Sequence, residues 1–196
     1  KSGYMFSVSP SLYCVNPEVV DALCSDLDTF KSMYMSDWDQ VKQLARDVKD
    51  EPSLNGMKLF SCYDDIMRPY YAKKVDSFYD PTGLIDIESV NDYYLDYMMD
   101  YATEELTCDY SSWSEEWQKS FKNGNSGMAY GPSWAFGFSL GIDVTSNYLM
   151  VPPTSSIWGG SIVVVNSEST NKAKAADYIR DLFYSDGYQF NSYARS

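Results

Sequence analysis

Apolar positions along the chain follow two rhythms, short runs of β type and stripes at helical spacing, and the two alternate from one terminus to the other. Tyr4 to Val8 and Leu12 to Val15 predict extended segments broken at Pro10. Pro17 suits a first helical position, and Val19, Val20 and Leu23 give that helix an apolar stripe. Ser36 can cap a helix whose inward face is Trp38, Val41, Leu44 and Val48 and which must end before Pro52. Asn55-Gly56 predicts a turn, Met57 to Ser61 a short apolar strand, and Asp64 to Tyr79 a helical or irregular stretch. Beyond a turn at Pro81-Thr82-Gly83, the residues Ile87, Val90, Tyr94, Tyr97 or Met98, and Tyr101 share one face of a long helix. Ser112 to Phe121 predicts another helix, stopping at Asn123-Gly124, with Trp113 and Trp117 spaced i, i+4 as core residues. Met128 to Tyr130 and Tyr148 to Val151 read as strands, with a short helix from Ser133 to Leu140 between them. The β-branched run Ile162 to Val165 reads as a central strand, and Thr170 to Tyr184 as a helix turning Ala176, Ile179 and Phe183 inward. Strands alternating with helices at these intervals argue an α/β layered fold.

Composition narrows the chemistry. The 196 residues suffice for one sizeable core and are few for two. Aromatic residues reach 16%, with 18 Tyr and 5 Trp, whose polar tips keep many of them partly at surfaces, so a stacking surface is within reach. Most of these rings are nevertheless expected to fill helix interfaces. A net charge of -13 and the lack of a basic cluster argue against nucleic acid and anionic lipid as partners. With no histidine in the chain, the commonest general base, the Ser–His and Cys–His pairs and most zinc sites are excluded. The four cysteines (Cys14, Cys24, Cys62 and Cys108) show no CxxC spacing, so no metal site or cofactor is expected. Cys14 and Cys24 can be read as a disulfide pair or as small buried thiols. There is no signal peptide at Lys1 and no apolar run of membrane length; if the protein is exported, its targeting segment was removed or lies upstream.

The run from Phe121 to Trp134, FKNGNSGMAYGPSW, resembles a segment of the family 1 extracellular solute-binding proteins. In that family a helix ends in Phe-x-x-Gly, a strand containing Ala-Met or Met-Ala follows, and a Gly-Pro-Trp-like turn comes next; here Ser133 is inserted between Pro132 and Trp134. Val151-Pro152-Pro153, Trp158-Gly159-Gly160, the strand Ser161 to Val165 and the helix entered at Asn171-Lys172 are similar to the family in the same order. Upstream, Leu12-Tyr13-Cys14-Val15-Asn16 and Ser36-Asp37-Trp38-Asp39 look like its Tyr-Asn strand end and its Thr-Trp-Asp/Glu helix entry. The resemblance implies a lobe of the type II periplasmic-binding-protein fold, a mixed sheet flanked by helices. Residues 1–150 would then be most of the second lobe and 151–196 a return segment associated with the first. It also implies a non-enzymatic, monomeric protein that captures a mono- or oligosaccharide by hinge closure and hands it to the membrane subunits of an ABC importer. The setting would be extracellular, as a surface lipoprotein or in a periplasm.

A sugar offers apolar C–H faces and a rim of hydroxyls, so its site needs a flat ring beside carboxylates or amides. Trp134 is the first candidate, because the family places a binding Trp in that turn. Trp158 follows, ahead of Gly159, where a missing side chain lets a ligand come close to the backbone. Tyr63 and Asp64, after the strand Met57 to Ser61, are candidates for hydroxyl recognition, with Tyr70 or Tyr71 as a substitute ring. Asp65 reads as an acid favoured by a helix N-terminus. Two rival readings are a glycoside hydrolase, for which Asp64, Asp65, Glu115 and Glu116 supply carboxylates, and a surface adhesion module. Nothing in the sequence marks one of these carboxylates as desolvated enough to hold a proton.

Overall fold

A computed structural model of the chain describes residues 3–72, 79–91, 95–138, 140–141, 148–154 and 158–184. The chain divides into two compact units, residues 10–158 and residues 1–9 with 159–196. The junctions between these units fall at Ser9/Pro10 and Trp158/Gly159, so residue 150 lies within the larger one. The reason lies in β5 (Leu149–Val151), whose antiparallel pairing with β2 (Ser11–Val15) holds this stretch in the larger unit.

The larger unit is built on a four-stranded mixed sheet in the order β3-β4-β2-β5. β3 (Lys58–Phe60) runs parallel to β4 (Ser126–Pro132), which is antiparallel to β2. Every residue of β4 is buried, and β2 is nearly so, because helices cover both faces of these central strands. Pairing also carries β4 further than its apolar run suggests: Gly131 and Pro132 stay in register with Leu12 and Ser11.

Helices flank the sheet in an order set by their caps. α1 (Pro17–Leu23) opens with Asn16 accepting from the Glu18 amide and with Pro17 in its first turn. α2 (Leu27–Tyr34), capped by Asp26, was not predicted, although Phe30 and Tyr34 supply its buried face. α3 (Trp38–Asp50) starts one residue later than expected, because Asp37 rather than Ser36 accepts from the Gln40 amide. Its buried residues Trp38, Val41, Leu44 and Val48 are the predicted stripe. A single 3-10 turn (Pro52–Leu54) and a left-handed Asn55 lead into β3. α4 (Asp64–Tyr71) covers the first part of the stretch read as helical or irregular; 73–78 lie outside the described residues.

The long helix predicted from Ile87 is described as α5 (Ile87–Val90) and α6 (Asp96–Thr103), and Tyr94 lies outside the described residues. Ile87 is exposed, so the predicted common face is buried only at Tyr97 and Tyr101. Tyr97 stacks flat on Tyr70, with ring centroids 4.0 Å apart, and Lys42 on α3 reaches Asp100 on α6 at 2.6 Å. α7 (Glu115–Lys122) begins at a Ser114 cap, and α8 (Ser133–Phe138) follows β4 directly. Three buried hydroxyls, Ser61, Ser120 and Ser126, hydrogen-bond to one another and join the end of β3, α7 and the start of β4.

In the smaller unit β1 (Gly3–Ser9) pairs antiparallel with β6 (Gly159–Val164), and α9 (Lys172–Tyr184) packs near β1 with Ile179 buried. β6 is not central among the described residues: its sheet has two strands, and Ile162 and Val164 are exposed. All four cysteines are free; Cys14 is fully buried and Cys24 half-buried, so the reading as separate thiols is the one this structure adopts.

Candidate functional site

Because β3 and β4 are parallel, their C-terminal ends leave the sheet at the same end. The chain after β3 passes through Ser61 and Cys62 to Tyr63 and enters α4 at Asp64, and the chain after β4 enters α8 with Trp134 in its first turn. A third segment reaches this region. Thr107 bridges Phe60, and the amides of Cys108 and Tyr110 donate to the carbonyls of Phe60 and Ser61, so residues 107–110 run alongside β3 toward Trp113.

Trp113 was expected on a helix and in the core with Trp117. Trp117 is buried on α7, but Trp113 precedes the helix, is half-buried and has a left-handed backbone at φ 67°. That turn brings its ring against three other indoles. It lies nearly parallel to Trp134 (centroids 6.1 Å apart, planes 17° apart), edge-on to Trp158 at 6.1 Å, and 5.1 Å from Trp117. Trp134 is 52% exposed, and Trp158 is half-buried against Tyr130. Among the described residues no indole N–H of Trp113, Trp134 or Trp158 is hydrogen-bonded, whereas that of Trp117 is.

A charged pair adjoins the rings. The Arg68 guanidinium lies 5.1 Å from the centre of the Trp158 ring and also donates to Asp64 at 3.3 Å. A cation on an indole face contributes about 0.5–1 kcal/mol at an exposed site. An exposed i, i+4 pair adds roughly 0.3–0.5 kcal/mol. Asp64 is thus placed near the tryptophans through Arg68, a residue the sequence reading passed over. Tyr63 goes elsewhere: its ring packs against the main core and lines an apolar groove with Met67, Leu95, Met98 and Met99. Tyr70 is buried under Tyr97, and Tyr71 is exposed on α4. Gly159 belongs to the smaller unit, where it opens β6 at φ 129° with open space around the position of an added Cβ.

Beneath the rings lies Asp65, which sits in the first turn of α4 as expected and has a second role in the interior. It is only 3% exposed, and its carboxylate accepts from Trp117 Nε1 at 3.1 Å, the Tyr130 amide at 3.4 Å and Cys62 Sγ at 3.4 Å. Burial pushes its pKa up to about 7, although these donors pull it down. Burial and the negative charge of Asp65 raise the Cys62 thiol in turn. Here is the desolvated carboxyl that the sequence did not mark. Its oxygens are taken up by interior donors, so it anchors the floor of the ring cluster and does not reach outward as an acid catalyst would. Among the described residues no group of three or more Cys, Asp or Glu side chains could hold a metal ion.

The chain matches no protein-family model and no curated protein sequence. Its fold is found in solved structures. A crystal structure described as an extracellular solute-binding protein of family 1 superposes with a TM-score of 0.76 at 19% identity, over 92% of this chain and 48% of the other. The ABC-transporter-associated binding protein of B. animalis subsp. lactis Bl-04, solved with β-1,6-galactobiose, gives a TM-score of 0.58 at 16% identity over 95% and 48%. An ABC transporter solute-binding protein from Thermotoga lettingae TMO, bound to α-D-tagatose, gives 0.61 at 15% identity over 100% and 53%. These likenesses establish a mixed sheet flanked by helices of the solute-binding-protein type, and the chain spans about half the length of the proteins it matches.

Proposed function

We propose that this chain forms most of one lobe, with a return segment of the other, of an extracellular solute-binding protein that captures a carbohydrate for an ABC importer. Residues 10–158 would be the second lobe, and residues 1–9 and 159–196 the part that belongs to the first. The observation that carries this reading is the open tryptophan cluster at the shared end of β3 and β4, beside the Asp64–Arg68 pair. Apolar sugar faces stack on indoles, and hydroxyls bond to a carboxylate, a guanidinium and free indole N–H groups. Trp134 and Trp158 are the stacking rings of this site, Asp64 its hydroxyl contact, and Gly159 a point of close backbone approach, while Tyr63 lines a separate apolar groove. Closure of two lobes on a ligand would follow from contacts made to both only in the closed state. The protein would work as a monomer, without cofactor or catalysis, in the extracellular space or a periplasm.

The test is calorimetric titration of the full-length protein with a panel of neutral sugars that includes D-tagatose and β-1,6-galactobiose. At least one sugar class should bind saturably and be recovered unshortened. Trp134→Ala should weaken that binding by roughly 1–3 kcal/mol, with an unchanged melting temperature. A panel in which nothing binds, or a Trp134→Ala protein that binds as well as wild type, refutes the assignment.

A further inference from the structure

We propose that Trp113 is the positioning residue of the candidate site, the ring that holds Trp134 and Trp158 in one fixed surface. This inference rests on the ring cluster serving as the ligand surface. Trp134 projects from the first turn of a six-residue helix and is 52% exposed, so its own element gives the indole little to pack on. The ring contact of Trp134 among the described residues is Trp113, at a plane angle of 17°. Trp158 meets the same ring edge-on. Removing Trp113 would therefore free both rings to sample other rotamers, and a ligand would have to order them again on binding.

The backbone supports the assignment. A bulky residue at φ 67° is held in a conformation that L side chains disfavour, and such strain persists only where the surroundings enforce it. Its Gln118 partner provides part of that restraint, since Gln118 Nε2 donates to the Trp113 carbonyl at 3.2 Å from the first turns of α7. Had Trp113 continued the helix of Trp117, its ring would lie on the face of α7 that the sequence spacing predicts. The left-handed turn instead sets it between the two outer indoles. The inward contact with Trp117, whose N–H is tied to Asp65, connects the outer rings to a buried anchor.

The experiment incorporates fluorotryptophan into the full-length protein and follows fluorine NMR, assigning the Trp134 and Trp158 lines by their loss in W134F and W158F. Trp113→Gly accepts the left-handed backbone and deletes the ring. Both lines should move to the averaged position of a solvent-exposed indole, with the cooperative melt retained. Trp113→Phe, which restores a flat face, should return both toward their wild-type positions. Where D-tagatose or β-1,6-galactobiose binds wild type, the Gly variant should bind roughly tenfold more weakly, the scale of one or two side chains ordered by the ligand. Lines that stay in place in Trp113→Gly overturn the proposal. If that variant does not fold, Trp113→Leu covers Trp117 without offering a stacking face, and unmoved lines there overturn it equally. Wild-type lines that ignore every sugar defeat the carbohydrate reading alone, because the ring positions are measured without ligand.

Discussion

Asp65 concentrates more of the molecule's electrostatics than any exposed acid nearby. Its raised pKa means that the folded chain keeps a proton which the unfolded chain has already released above the ordinary carboxylate range. The contribution of Asp65 to folding stability is therefore fully present at low pH, falls as pH rises toward about 7 and levels off beyond it. The slope approaches roughly 1.4 kcal/mol per pH unit for one proton. Asp65→Asn should abolish that slope in thermal melts taken across the window. The variant should also start less stable at the acid end, because its amide must turn an N–H toward either Trp117 Nε1 or the Tyr130 amide. Melting temperatures of wild type and Asp65→Asn that change in parallel between acid and neutral pH would remove Asp65 from this role. None of this could be read from the sequence, where adjacent acids at Asp64 and Asp65 look like an ordinary helix start. What separates them is the α4 geometry, which turns one to Arg68 and the other under Tyr130.

Among the elements, β4 is the most constrained. Gly127 sits where an added Cβ would come within 2.7 Å of Val19 Cγ2 and 3.2 Å of Met57 Sδ. Valine is stiff at χ1 and cannot swing clear, so Gly127→Ala should cost about 1–3 kcal/mol in chemical denaturation. A denaturation midpoint equal to that of wild type would show that α1 can shift away. The elements legible in the sequence were those whose signals are local. Pro17 and Asn16 mark the start of α1, Asn55-Gly56 turns into β3, and the stripe of α3 is written at helical spacing. Three features depend on contacts distant in sequence and stayed hidden. The left-handed Trp113 carries no Gly or Asn to announce it. Arg68 meets Trp158 ninety positions further along the chain, and no spacing rule links them. The β-branched run at Ile162 shows that a strand forms but says nothing of how many neighbours it has. The family resemblance singled out Trp134 and Trp158 of the ring cluster, and Trp113 escaped because its spacing from Trp117 fits a helix too well.

At the scale of the whole molecule, the core of the described residues belongs almost wholly to one unit. Among the described buried apolar side chains only Ile179 lies in the smaller unit, and the rest fall within residues 10–158. A chain restricted to 10–158 should therefore unfold cooperatively and keep its near-UV aromatic spectrum, while a chain joining 1–9 to 159–196 should not melt cooperatively. Loss of the aromatic signal in the larger piece would contradict this division. The smaller unit has a practical consequence of its own. Ile162 and Val164 point the same way from β6 and remain 60% and 65% exposed, a greasy stripe on what is, among the described residues, a ribbon of two strands. During purification and storage at high concentration this stripe is where unwanted clumping should begin, despite the mutual repulsion expected from a net charge of -13. Light scattering should rise more slowly for Ile162→Lys than for wild type, giving whoever handles the protein a simple way to keep it clear in the tube.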